Sequence, residues 1–451
     1  MKKLMKGNEA IAEAAIRAGC RYFFGYPITP QNQIPEYMSK RLPQVGGCFL
    51  QAESEVAAIN MVYGAAGAGA RAMTSSSSPG ISLKQEGISY IVGAELPCVI
   101  VNMVRGGPGL GSIQPAQSDY YQATRGGGHG DYRMCVLAPA SVGEAVTLTQ
   151  DAFDIADRYR NPVMVMGDGL IGQMMEPVEF PEGDRAPAAD LGEKNWAADG
   201  HIATGDSPRA IINSLYIDPA VLEKHCEKLK RKYDLIERNE CRYERFMLDD
   251  AELVIVAYGT TSRIARSAIR QCREQGVKVG MLRPITLWPF PTAAIRDTLR
   301  TARQYLCLEM SQGQMLDDVR LAVDGKAPVA FYGRTGGMVP TVKEMVEQMM
   351  ALAQPAKAKP VCYSFGIDAD PEEIKRQLRE VGDKLRMAAD KGVDTVKGGL
   401  DQARQTIDST APGVRDELNQ AKDSLLQGAE KTVREIGAAL DRLLNHDKEG
   451  K

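Results

Sequence analysis

Short apolar runs punctuate the first part of the chain, at 22–24, 48–50, 72–74, 98–104, 134–137 and 162–166. They are continuously apolar rather than alternating, the pattern of strands covered on both faces of a parallel sheet. Between them, apolar positions recur at helical spacing over 8–18, 54–68 and 141–159, the first behind Asn8 as an N-cap. This alternation predicts an α/β domain over 1–175. Residues 176–250 break the rhythm with prolines and acidic residues (EPVEFPEGDRAPAAD), then a charged helical stretch over 218–243. They read as a connecting arm. Over 251–360 the alternation resumes. LVIVAYG, VKVGML, QYLCLEM and PVAFYG read as strands, with helices near 262–274, 292–301, 314–323 and 341–352, predicting a smaller α/β domain. Over 361–451 apolar residues recur every three or four positions in two stretches separated by Ala411, Pro412 and Gly413, a helical extension of two amphipathic helices. Its bland reading is a hairpin or a coiled-coil surface. Acidic residues mixed through its polar faces argue against a membrane-surface helix.

Composition narrows the function classes. The chain has 451 residues, 25% of them charged, and a net charge of −3, which offers neither nucleic acid nor an anionic membrane an electrostatic reason to bind. No apolar stretch is long enough to span a bilayer, and the opening MKKLMKGNEAIAEAA has no apolar signal core. The expected location is the cytoplasm. Nine cysteines are scattered with no C-x-x-C spacing, and several, such as Cys98 and Cys135, sit inside apolar runs. They read as small buried hydrophobes of a reducing compartment, not as zinc or iron–sulfur ligands.

Three loops are candidates for chemistry. The loop GYPITP (25–30) follows a strand, and Pro27 and Pro30 stiffen the backbone on both sides of Thr29. Taken alone it is a rigid strand-to-helix turn. In ESEVAAINMVYGAAGAG, Glu53 lies on the approach to a helix and Glu55 in its first turn, where the helix dipole favours an anion. For an isolated glutamate, charge complementation explains that position. The strand over 98–104 delivers Arg105 into GGPGLGSIQPAQSDYYQATRGGGHGDYR, a long glycine-rich loop that also carries His129 and Asp131. An arginine at the carboxyl end of such a strand stands where open α/β sheets bind ligands, and its guanidinium can grip a carboxylate bidentately. A lone loop histidine is more often structural or solvated, although loops this long inside a domain are usually functional.

YPITP, then ESE before a helix, SSSSPG, a strand ending in Arg–Gly–Gly–Pro, and HGD come in an order that resembles the 2-oxoacid:ferredoxin oxidoreductases. The similarity is to the subunit carrying the pyrimidine-binding domain. It spans 1 to about 355, and MKGNEAIAEAAIRAG and GGPGLG resemble the branched-chain (2-oxoisovalerate) type. The fold implied is a thiamine-diphosphate-binding, pyrimidine-type parallel-sheet domain, followed by a transketolase-C-terminal-like α/β domain. LRPITLWPFP and YGRTGG match the latter, which supports assembly rather than catalysis. The resemblance implies that Glu55 meets the ring nitrogen of the cofactor's aminopyrimidine and exchanges a proton with it, helped by a partly buried site. It implies that Pro27 and Ile28 contact the cofactor, and that Thr29 and Arg105 hold the substrate carboxylate. His129 and Asp131 remain possible participants. It further implies a partner subunit holding the magnesium ion and diphosphate, a third catalytic-complex subunit, and a ferredoxin-like subunit carrying iron–sulfur clusters. Coenzyme A is the implied co-substrate and ferredoxin the acceptor. The last 85 or so residues have no counterpart in this resemblance.

GDGLIG (167–172) fits a dinucleotide fingerprint, but no convincing helix is expected after it, since prolines and acids follow. The same GDG with Asn195 mimics a thiamine-diphosphate magnesium motif, yet a polar arm fills the space where a helix and strand should stand. Two functions of other classes stay open: an assembly protein that keeps the fold without turnover, and a dinucleotide-dependent oxidoreductase. Thr29, Glu55 and Arg105 occurring together favour the decarboxylating subunit, with 2-oxoglutarate and pyruvate as alternative substrates.

Overall fold

A computed structural model describes residues 2–180, 187–188, 190–200 and 209–353. In chain order the first elements are β1 (Lys3–Lys6), α1 (Gly7–Arg17), β2 (Tyr22–Gly25), α2 (Gln33–Arg41), β3 (Cys48–Gln51), α3 (Glu55–Gly67), β4 (Ala72–Ser76) and α4 (Ser78–Gly93). Next come β5 (Val99–Val104), α5 (Tyr120–Arg125), β6 (Cys135–Leu137), α6 (Val142–Tyr159), β7 (Val163–Asp168), α7 (Gly169–Gln173) and β8 (Met175–Val178). After α8 (Pro219–Asn239) follow β9 (Tyr243–Phe246), β10 (Leu253–Val256), α9 (Gly259–Glu274), β11 (Val279–Pro284) and β12 (Thr286–Trp288). The described chain ends with α10 (Thr292–Thr298), β13 (Gln304–Glu309), α11 (Met315–Val323), β14 (Val329–Gly333) and α12 (Val342–Ala353). The two amphipathic helices expected after 361 lie outside the described residues.

The apolar runs form a seven-stranded sheet in the order β12-β6-β7-β5-β4-β2-β3. Its strands are parallel except β12, which runs antiparallel to β6. The central β4, β5 and β7 are buried at every position, as uninterrupted apolar patterning requires when helices cover both faces. A five-stranded sheet, β14-β13-β10-β11-β9, builds the second α/β layer, with β9 antiparallel on its edge. Both sheets lie in one compact unit spanning Met1–Ala358. β12 was not legible in the sequence: three residues from LRPITLWPFP leave the second sheet's neighbourhood to complete the edge of the first. Along that seam Arg283 donates to both oxygens of Glu144 at 2.7 and 2.9 Å, and Gln117 exchanges hydrogen bonds with Tyr258 and Met310.

One local expectation is corrected. Asn8 is not the N-cap of α1. Lys6 holds that position, and the buried Asn8 amide instead donates to the Pro30 carbonyl and to Gln33 Oε1, both at 2.8 Å. A long-range bond within the core outcompetes the local cap. GDGLIG itself turns into the short α7, capped by the Asp168 carboxylate, which accepts from the amides of Leu170 and Ile171, and β8 rather than a longer helix follows it. The motif's glycines serve packing. A Cβ would stand 2.9 Å from Met103 at Gly167, 3.2 Å from Pro30 at Gly169 and 2.5 Å from Asn8 at Gly172. By contrast, Ser54 and Ser141 do cap α3 and α6, accepting from the amides three residues on.

Candidate active site

The site grows from the carboxyl edge of the large sheet. β2 ends at Gly25 and releases Tyr26 and Pro27 to the surface, while Ile28 and Thr29 are half-buried and Pro30 is buried. The Pro30 carbonyl is held by Asn8 and by Gln173 Nε2 at 2.9 Å, so the loop is pinned from two helices. β4 ends in a run of buried serines, and α4 starts at Ser78. β5 ends at Val104 and hands on Arg105, whose amide donates to Ser78 Oγ at 3.1 Å.

Two contacts link these edges: Arg105 reaches Thr29, and its amide meets Ser78, two residues before the Gly80 that faces Glu55. The Arg105 guanidinium, 8% exposed, donates to the carbonyls of Thr29 at 2.9 Å and Leu110 at 3.1 Å. It thereby ties the GYPITP loop to the glycine-rich loop. Two of its five N–H donors are occupied in this way, and its buried Nε has no partner. Two residues beyond Ser78, a Cβ at Gly80 would lie 2.6 Å from Glu55 Oε1 and 2.1 Å from Ser76 Oγ. Glycine at 80 is therefore what admits the Glu55 carboxylate beside α4. Glu55 itself begins α3 and is 6% exposed, whereas Glu53 is exposed.

His129 and Asp131 are elsewhere. Both are exposed, and the His129 carbonyl accepts from Ser89 Oγ near the far end of α4. Ser89 is eleven residues beyond Ser78, roughly 16 Å along the helix at 1.5 Å per residue. The second sheet does reach the site's rim: a Cβ on Gly106 would lie 3.3 Å from the backbone of Gly336 and Gly337, in the YGRTGG segment.

Sequence reading did not single out four residues that line this edge. Asn102 accepts from the Ser78 amide and donates to Asp119, whose carboxyl burial pushes upward against those bonds. Ser76 and Ser77 present buried hydroxyls without partners. Lys84 is fully buried on α4; burial lowers it to about 8, while the charge of Glu55 works the other way. One signal could have exposed it: Lys84 stands in the apolar stripe of Ile81, Ile88 and Ile91. Among the described residues no cluster of three or more His, Cys, Asp or Glu side chains could hold a metal ion. The described cysteines are free, and burial drives Cys20 and Cys98 up to about 12. No described helix is long and apolar enough to cross a membrane.

A doubly covered parallel sheet with a buried glutamate opening a helix at its carboxyl edge defines an open α/β protein with a candidate ligand site at the carboxyl ends of its strands. Residues 13–244 match the pyruvate flavodoxin/ferredoxin oxidoreductase thiamine-diphosphate-binding model, and 251–345 match core domain II of pyruvate:ferredoxin oxidoreductase. The chain belongs to this family and is a 2-oxoacid:ferredoxin oxidoreductase subunit. It is 50% identical over 351 residues to the ketoisovalerate oxidoreductase subunit VorB of Methanothermobacter thermautotrophicus, covering 78% of this chain and 98% of that protein. The 2-oxoglutarate synthase subunit KorA of the same organism is 37% identical over 369 residues, covering 77% and 98%. Among solved structures, the 2-oxoglutarate:ferredoxin oxidoreductase of Magnetococcus marinus, with 2-oxoglutarate, coenzyme A and succinyl-CoA bound, superposes with a TM-score of 0.69 at 27% identity. That match covers 78% of this chain and 65% of the other.

Proposed function

We propose that this chain supplies the aminopyrimidine side of a thiamine-diphosphate site that oxidatively decarboxylates 3-methyl-2-oxobutanoate. The products are the acyl-CoA and carbon dioxide, and the electrons pass to ferredoxin. The observation that carries the reading is the buried Glu55 carboxylate at the start of α3, set against Gly80 in the first turn of α4, where Ser78 accepts from the Arg105 amide. The residues present fit the cofactor's ring end. A carboxylate that must trade a proton with a ring nitrogen needs a site shielded from water, and unpartnered hydroxyls of Ser76 and Ser77 line the same turn. When bound, thiamine diphosphate supplies the electron sink that lets a 2-oxoacid lose carbon dioxide. Glu55 holds and returns a proton at its carboxyl oxygens. Pro27 and Ile28 lie beside Thr29 on the pinned loop and would line the cofactor. The free N–H groups of Arg105, together with the Thr29 hydroxyl, orient the substrate carboxylate.

The branched substrate follows the name of the 50% identical relatives; the 37% identical KorA chains make 2-oxoglutarate the second reading. Magnesium, the diphosphate and the iron–sulfur clusters belong in this proposal to partner subunits: a thiamine-diphosphate-binding subunit, a third catalytic-complex subunit and a ferredoxin-like subunit. Coenzyme A is the acyl acceptor, as its presence in the Magnetococcus structure supports. Co-expression with those subunits, followed by coenzyme-A-dependent reduction of a low-potential dye, tests the scheme. Glu55→Ala should lower kcat by about 10²–10⁴-fold; wild-type turnover in that variant would sink the mechanism. The ratio of kcat/KM for 3-methyl-2-oxobutanoate, 2-oxoglutarate and pyruvate decides the substrate.

A further inference from the structure

Glu55 has a charged neighbour that the scheme above does not use. Helices α3 and α4 approach so closely that a Cβ at Gly80 would lie 2.6 Å from Glu55 Oε1, and one at Gly87 would lie 2.5 Å from Ile59. Gly80, Lys84 and Gly87 are spaced four and three apart, so they form one stripe of α4. Glu55 and Ile59, four apart, form the facing stripe of α3. Lys84 therefore lies between the two contact points. Side chains on a helix lean toward its N-terminus, which directs the Lys84 stem toward Gly80 and the Glu55 carboxylate.

The surroundings of Lys84 make it costly. Its relative exposure is 0%, and its Nζ has no hydrogen-bond partner. An ammonium buried without a bond destabilises a fold, and an apolar side chain of similar length would pack against α3 without that penalty. What Lys84 contributes is therefore not stability. Of its charged surroundings, the Glu55 carboxylate on the facing stripe favours the ammonium form. In a medium of low dielectric, a buried ammonium favours the charged form of a carboxylate that faces it.

We propose that Lys84 is a positioning residue for Glu55, its buried ammonium balancing the carboxylate while a proton passes between Glu55 and the aminopyrimidine of thiamine diphosphate. This rests on the reading of Glu55 given above. The proton moves between the Glu55 carboxyl and the ring nitrogen; Lys84 neither gives nor takes one. By favouring the carboxylate, Lys84 makes Glu55 a readier donor, so the proton is handed on rather than trapped by burial.

The test uses the assembled complex loaded with thiamine diphosphate, in wild type, Lys84→Met and Glu55→Gln. Near-ultraviolet circular dichroism of the bound cofactor, followed against pH, reports the protonation of its aminopyrimidine independently of turnover. Removing a positive charge tightens proton binding nearby, so Lys84→Met should move the midpoint upward by about one pH unit. The acid limb of kcat/KM should move with it, while the melting temperature at neutral pH stays equal or rises. Lys84→Gln, also uncharged but able to hydrogen-bond, should give the same shift and serves if the methionine variant fails to assemble. A midpoint unmoved by either substitution, with Glu55→Gln altering the titration, overturns the role of Lys84 alone. A titration left untouched by Glu55→Gln overturns the reading of Glu55 instead.

Discussion

Glycine at position 80 shows how one missing methyl shapes the site. Gly→Ala inside a helix ordinarily stabilises by up to about 1 kcal/mol, and Gly64 in α3 has open space where a Cβ would go. At Gly80 the added methyl would meet Glu55 Oε1 and Ser76 Oγ. Gly80→Ala should therefore cut kcat at least about tenfold, since a catalytic group displaced by an ångström loses that much or more. Gly64→Ala should leave turnover unchanged and raise the melting temperature slightly. Steady-state kinetics and thermal melts on both variants separate the two effects. Arg105 is constrained differently, because its guanidinium bridges two backbone carbonyls as well as facing the site. A lysine there offers no planar fork to make both bonds.

Among elements, α8 is the one whose attachment to the sheet depends most plainly on charge. It is amphipathic, and it docks through Leu229, Tyr233 and Ile236 together with Lys228 and Lys232, which reach Glu95 in the turn between α4 and β5. Burial raises the Glu95 carboxyl, but Lys232 and Lys228 outweigh burial and hold it at about 2. A carboxyl depressed below its ordinary value of 4.5 stabilises the fold above that pH. The contribution disappears as pH falls from about 4.5 toward 2, where the folded state too takes up the proton. Urea denaturation between pH 6 and pH 3 (roughly the span in which ordinary carboxyls titrate) should show Glu95→Gln losing less stability on acidification than wild type. An equal loss in both would remove Glu95 from the acid transition.

At the scale of the molecule, the two sheets are joined by polar contacts as well as by the shared apolar core. Arg283 is 4% exposed and bonds Glu144 of the first domain and Glu244 of the second layer. Arg283→Met would leave both carboxylates without this partner and should cost about 2–4 kcal/mol, toward the lower end of the range for breaking a buried pair because both glutamates are partly exposed. A drop in the denaturation midpoint checks this. Because Gly336 and Gly337 lie against Gly106 beside Arg105, the same substitution should also raise KM for the 2-oxoacid.

Read in order, the sequence determined the parallel strands and the helices between them, and it proposed Thr29, Glu55 and Arg105 as a set. Strand burial and helix capping are local: a continuous apolar run or a serine three residues before its amide partner carries the information within a few positions. Tertiary structure decided the rest, because it depended on what meets across the fold. Asn8 gave up a local cap for the Pro30 carbonyl, β12 crossed to the first sheet, and GDGLIG spent its glycines on close packing. In the same way His129 and Asp131 were set about three helical turns from Arg105, although they share its loop. Lys84 interrupts an apolar stripe that the sequence shows, but only the packing of α3 on α4 sets it on the face toward Glu55.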